Sequence, residues 1–277
     1  MHIKVSEQGN VIEVTQMARR NFEAHIKKLN ADEYVRLEDG EICEYEHAEN
    51  RSESKQSLYR TFRRIRAVIN TNFTGSDSEL FVTLTYAENM TDTKRLYRDF
   101  DKFWRRFKYR WGKAEYFAVV EPQKRGAWHL HVLVKFDGKA PFVPNSELRE
   151  CWGQGFVNVR KITNVDNVGA YLSAYLADVE VPMDTVNGVV KEFPDGTKKK
   201  FVKGGRLHLY PPGMNIYRCS RGIKSPDEYW VNESEKEALT RGMKKTFETG
   251  IHFMNEQGFE QKVIKEYYNR KRKADGE

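Results

Sequence analysis

The sequence predicts an α+β fold, an antiparallel sheet with helices on one face in a split βαβ arrangement. Three observations point to it. Short β-branched and aromatic runs, "ELFVTLTY" (79–86), "EYFAVVE" (115–121), "WHLHVLVKF" (128–136) and "FVNVRKI" (156–162), read as strands. Between them lie segments whose apolar residues recur at helical spacing. The resulting order from residue 79 is strand, helix, strand, strand, helix, strand, helix, which is the split βαβ pattern.

Each element has its own local signal. Residues 1–56 read as an N-terminal appendage with an acidic hairpin, because Glu38-Asp39-Gly40-Glu41 separates "YVRL" from "ICEY" as a turn would. The core reads as residues 57–181. It opens with a helix whose Leu58, Phe62, Ile65 and Ile69 make one face while Arg60, Arg63, Arg64 and Arg66 fall mostly on others. A second helix follows, capped by Thr91 or Thr93 and striped by Leu96, Phe100, Phe103 and Phe107. A short helix near Ser146–Trp152 leads through "GQG" to the last strand. "NVGAYLSAYLADV" then gives a helix with the stripe Val168, Leu172, Leu176 and Val179. Residues 182–277 read as a basic accessory region that binds DNA or packs on the core. It contains a hairpin around Pro194-Asp195-Gly196, a loop-rich stretch at 204–224, and helices near Glu233–Phe247 and Gln261–Arg272.

Composition narrows the class of partner. The chain has 277 residues and a net charge of +7, yet residues 32–50 hold eight acidic side chains against one Arg, so the remainder is more basic than the total suggests. A basic excess favours polyanions, whose counterions are released on binding. No run of eighteen apolar residues exists, so no membrane partner is expected, and the N-terminus lacks the apolar core of a signal peptide. Cys43, Cys151 and Cys219 are far apart and form no CxxC spacing, which points to a reducing cytoplasm and away from a structural zinc site.

The chemistry concentrates around "EPQKRGAWHLHVLVKF" (121–136). Residues two apart in a strand share a face, so His129 and His131 point together while Trp128, Leu130, Val132, Val134 and Phe136 face the core. Glu121 ends the preceding strand, and a short connection returns its carboxylate to the two imidazoles. Two nitrogens and a carboxylate leave positions open for water and substrate oxygens, as a Lewis-acid site requires. Tyr171 and Tyr175 stand four apart in the last helix, about 5–6 Å from each other on one face.

Taken in order, these segments resemble the motifs of HUH endonucleases, the rolling-circle replication initiators of single-stranded DNA phages and small plasmids. "FVTLT" (81–85) matches the first motif, "HLH" (129–131) the metal-binding motif, and "YLSAY" (171–175) the two-tyrosine motif. Glu121 stands where phage-type initiators carry the third ligand. One departure is Ala174, where many relatives have Lys before the second tyrosine. The resemblance covers roughly residues 80 to 180 and implies a ferredoxin-like or RRM-like core. It implies a divalent ion, Mg2+ or Mn2+, held by Glu121, His129 and His131. It also implies attack by Tyr171 or Tyr175 on single-stranded DNA at a replication origin, giving a 5′-phosphotyrosine and a free 3′-hydroxyl. Such a nickase rejoins the strand without a nucleotide energy source, works in the cytoplasm of a bacterial host, and recruits a host helicase and polymerase. No GxxxxGK[ST] loop is present, so no helicase of that type is fused.

DNA holding is expected from Arg60, Arg63, Arg64, Arg66, Lys203, Arg206, Arg218, Arg221 and Lys224 at phosphates, with Tyr210 and Tyr217 stacking on unpaired bases. Other readings stay open on the sequence alone: a relaxase or transposase of the same chemistry, a non-catalytic single-stranded DNA-binding module, and a metal hydrolase acting on a small molecule.

Overall fold

The computed structural model describes residues 1–18, 25–46, 55–123, 125–163, 165–173, 179–181, 189–192, 198–202, 209–211, 214–254 and 260–274. The chain is α+β, with antiparallel sheets and five helices among the described residues. It begins with a hairpin, β1 (His2–Gln8) and β2 (Val11–Met17). The turn needs Gly9, whose φ is 60° and where a Cβ would meet the Asn70 carbonyl at 2.3 Å. Three short strands, β3 (Ile26–Lys28), β4 (Glu33–Arg36) and β5 (Ile42–Glu44), form a small sheet of their own. The acidic hairpin expected at 38–41 is the turn between β4 and β5, closed by Arg36 N–H donating to Glu41 O at 2.9 Å.

The central part follows the expected order: α1 (Lys55–Asn72), β6 (Glu79–Thr85), α2 (Thr93–Trp111), β7 (Ala114–Pro122), β8 (Trp128–Phe136), α3 (Asn145–Trp152), β9 (Val157–Lys161) and α4 (Val168–Ser173). Next come β10 (Val179–Val181), β11 (Val189–Glu192), β12 (Lys198–Val202), β13 (Tyr217–Cys219), β14 (Asp227–Val231), α5 (Glu233–Thr240), β15 (Met243–Met254) and β16 (Glu260–Lys273). The central sheet has the strand order β13-β7-β8-β6-β9.

Strand alternation divides this sheet into two faces. Leu80, Val82, Leu84, Leu130, Val132, Val134 and Phe136 are buried on one. There α2 lays Phe100, Phe103, Trp104 and Phe107 against Tyr116 and Phe136, and α3 adds Trp152 against Phe103 and Tyr86. Each of these rings contributes roughly 1.5–3 kcal/mol by leaving water. The other face carries Phe117, Val119, Glu121, His129, His131, Phe81 and Thr83. Towards it stand α1, whose Asn72 carbonyl accepts from Lys135 Nζ at 2.8 Å, and α4, whose Tyr171 ring meets Phe81.

Helix α4 reaches α1 by a close approach. A Cβ on Gly169 would lie 2.5 Å from the Arg66 carbonyl, and its N–H donates to Asn70 Oδ1 at 2.7 Å. The start of α2 differs from the expectation: the cap is Asp92, which accepts from Lys94 N–H at 2.8 Å and Arg95 N–H at 3.1 Å, and neither threonine serves. A carboxylate reaches two N–H groups of the first turn and adds charge at the positive helix end.

The C-terminal helices are corrected more widely. Of the two expected spans only Glu233–Thr240 is helical, capped by a reciprocal Asn232–Glu235 box. Residues 243–247 and 261–272 lie in β15 and β16, which pair with each other, and β16 also pairs with β2. Their Lys, Glu and Gln suit a helix, but cross-strand pairing on both sides of β16 outweighs that weak preference. Val179, expected in the last helix, begins β10 instead. The hairpin expected around 194–196 has its arms in β11 and β12, and its tip lies outside the described residues. The first and last segments thus share one sheet, ordered β14-β1-β2-β16-β15, with its own small core of Ile3, Val5, Ile12 and Val14. No described helix is long and apolar enough to cross a membrane.

Candidate functional site

The β7–β8 hairpin builds the site by register. Glu121 stands opposite His129, and Val119 opposite His131. The connection is held by Gln123 N–H to Ala127 O at 2.7 Å and Gly126 N–H to Gln123 O at 2.9 Å, which keeps the two strands aligned to their ends. From the other side, β6 sets Thr83 opposite His131 and Thr85 opposite His129. One carboxylate oxygen, Glu121 Oε2, therefore meets both rings: His129 Nε2 at 2.8 Å and His131 Nε2 at 2.7 Å.

The three ligand atoms lie within 4.8 Å of one another. The Glu121 side chain is 5% exposed, that of His131 9%, and that of His129 15%, so the cluster opens towards solvent at His129. Burial alone would raise the Glu121 pKa, but hydrogen bonds from His129 and His131 outweigh it and hold the carboxyl down at about 2. Burial lowers the pKa of His131 against the opposing pull of Glu121, which favours the neutral ring that a metal needs. Thr83 Oγ1 lies 3.5 Å from His131 Nδ1, on the ring nitrogen that faces away from the cluster. Two imidazole nitrogens and an ionised carboxylate oxygen converge on one spot, a donor set that suits a divalent cation with further positions for water or phosphate.

Phe81 links this cluster to the tyrosine. Its ring stacks on His131 at 5.4 Å and meets the edge of Tyr171 at 6.5 Å. Asn167 caps the start of α4 through Ala170 N–H at 2.9 Å, and its carbonyl accepts from Tyr171 N–H at 3.1 Å. The Tyr171 hydroxyl is met by Arg160 Nη2 at 2.6 Å. Arg160 escaped the sequence reading. Its place in the strand "FVNVRKI" was visible, but only the pairing of β9 with β6, which sets Arg160 opposite Phe81, brings it to this face.

The remaining expected residues divide. Arg60, Arg63, Arg64 and Arg66 are exposed on α1, and the first three line a groove of about 410 Å³ with Lys4 and Lys265. Tyr217 is half-buried; its ring stacks on Phe117 at 5.2 Å and its hydroxyl accepts from Arg64 Nε at 3.2 Å. Arg218 pairs with Asp101 at 3.2 Å over the Tyr97 ring, while Arg221 and Lys224 are exposed. Tyr210 is corrected: it is 1% exposed, packs on Trp128 and donates to Val120 O at 2.9 Å, so it supports the core and offers no face to a base. Tyr175, Lys203 and Arg206 lie outside the described residues.

Comparison with known proteins gives this site a family context. A family model described as Replication-associated protein ORF2 matches residues 79–180, the stretch from β6 into β10 that holds Glu121, His129, His131, Tyr171 and Tyr175. The match supports a replication initiator of the Rep type. Searches of curated proteins and of solved structures returned no significant match.

Proposed function

We propose that this chain is a metal-dependent nickase that cuts and rejoins single-stranded DNA at a replication origin to start rolling-circle synthesis. The observation that carries this reading is the placement of Tyr171 beside the Glu121–His129–His131 cluster on one face of one sheet, with Phe81 in contact with both. Residues 57–181 form the catalytic core, and the segments on either side position the DNA. When bound, Mg2+ or Mn2+ would supply Lewis-acid polarisation of the scissile phosphate.

Every other step belongs to the protein. Glu121, His129 and His131 are fixed by hairpin register, so the cation and the phosphate it draws in take one position relative to α4. Tyr171 Oη attacks phosphorus in line. The Oη–P bond forms, the P–O3′ bond breaks, the phenol proton passes to solvent and the leaving 3′-oxygen takes one up. One phosphodiester is exchanged for another, so the 3′-hydroxyl can reverse the step without an energy source. Tyr175, four residues on, serves as the second nucleophile for a successive round. Arg60, Arg63, Arg64, Arg66, Arg218, Arg221 and Lys224, with Lys203 and Arg206, hold phosphates along the strand, and the enzyme works with a host helicase and polymerase in the bacterial cytoplasm.

The test is a denaturing gel of protein incubated with single-stranded DNA from its own replicon, with Mn2+ or chelator. A covalent adduct is expected that requires metal, survives in at most one of Tyr171→Phe and Tyr175→Phe at full yield, and vanishes in the double variant and in His129→Ala. Tight binding to origin DNA with no adduct under any condition would leave a binding module and end the catalytic reading.

A further inference from the structure

We propose that Arg160 holds the attacking oxygen of Tyr171 and offsets the charge that gathers on it during strand cleavage and rejoining; this rests on the phosphotyrosine reading above. The geometry is specific. Arg160 lies on the edge strand β9, opposite Phe81. Its guanidinium sits 4.8 Å from the centre of the Phe81 ring and 5.5 Å from that of Tyr171, so two aromatic faces flank it. From that seat Nη2 reaches Tyr171 Oη at 2.6 Å.

The chemistry of the pair sets the role. A guanidinium carries only donors and keeps its charge, so in this bond Arg160 donates and the phenol oxygen accepts through a lone pair. The phenol proton must then point elsewhere, and Arg160 cannot be the base that removes it. What it supplies is a fixed positive charge at the one atom where negative charge builds as the proton leaves and the bond to phosphorus forms. In rejoining, the same oxygen is the leaving group, and the same contact supports its departure. A charge placed beforehand needs no reorganisation at the moment of reaction.

The test compares single-turnover adduct formation by the full chain, with Mn2+ and a single-stranded origin oligonucleotide, for wild type, Arg160→Gln and Arg160→Lys. Each is prepared with tyrosine or 3,5-difluorotyrosine at position 171. Removing one such donor is expected to slow the step roughly 100-fold at unchanged affinity for the oligonucleotide. Rejoining should slow by the same factor, leaving the equilibrium share of adduct unaltered. Arg160→Lys should restore part of the rate, and the fluorinated phenol, which bears charge more readily, should rescue the Gln variant more than the wild type. Melting curves show whether each variant is folded; if the Gln variant is not, the Lys variant with the fluorinated ring carries the comparison. Three results overturn the proposal: an Arg160→Gln rate equal to wild type, a loss that appears only as weaker DNA binding, or no selective rescue by fluorination. If wild type itself forms no adduct at Tyr171, the nickase reading falls and this role falls with it. A normal wild-type adduct with an undiminished variant removes Arg160 alone.

Discussion

Glu121 carries the sharpest single-residue consequence. Its Oε2 is the meeting point of two imidazoles, and the carboxyl stays ionised far below neutral pH because their hydrogen bonds outweigh the cost of burial. Glu121→Gln keeps the size and removes the charge, leaving two neutral nitrogens and an amide. Mn2+ affinity measured by calorimetry should fall by more than the roughly 10- to 100-fold typical of an outer-shell partner. The same loss should appear in melting: Mn2+ at about 100 times the wild-type Kd adds about 2.7 kcal/mol to a protein that binds it only when folded. Wild type should gain that shift and the variant should not. Equal Mn2+ affinity in both would show that the cluster is a buried hydrogen-bond group and not a cation site.

At the scale of elements, the site depends on how closely α4 approaches α1. Gly169 has no room for a methyl group against the Arg66 carbonyl, 2.5 Å from its would-be Cβ, or against Asn70 Oδ1 at 2.8 Å. Gly169→Ala should push α4 outward, cost about 1–3 kcal/mol as overpacking does, and slow adduct formation while Mn2+ binding at the hairpin is retained. A variant as stable and as fast as wild type would mean that α4 does not set the position of Tyr171. The same elements mark what the sequence could disclose. Glu121, His129 and His131 were legible because a two-residue period and a short hairpin are local signals. Arg160 was not, because an edge strand's neighbour is chosen by pairing, and β6 and β9 lie far apart along the chain. The "EQKVIKEYYNRKRK" run misled for the same reason: Val263, Ile264, Tyr267 and Tyr268 fit a helical stripe, and only β2 and β15 on its two sides make it a strand.

At the scale of the whole molecule, the two ends of the chain close one sheet, and Glu266 stands where four of its elements meet. Its carboxylate accepts from Gln16 on β2 at 2.8 Å and from Lys245 on β15 at 3.1 Å, and pairs with Lys236 on α5 at 3.3 Å. Burial works to raise its pKa, yet the Gln16 and Lys245 hydrogen bonds and the Lys236 charge together lower it. A carboxyl lowered on folding contributes stability that is complete above its unfolded pKa, roughly 4.3, and is lost as pH falls through the folded value. Glu266→Gln should therefore cost about 2 kcal/mol at pH 7, the scale of a hydrogen bond to a charged group. Melting curves of wild type and variant should draw together as the pH falls below about 4, because the protonated acid and the amide are then alike in charge. A gap that stays constant from neutral pH into acid would assign the loss to packing, and no gap at neutral pH would mean that the pairing of β2 with β16 alone holds the two ends of the chain together.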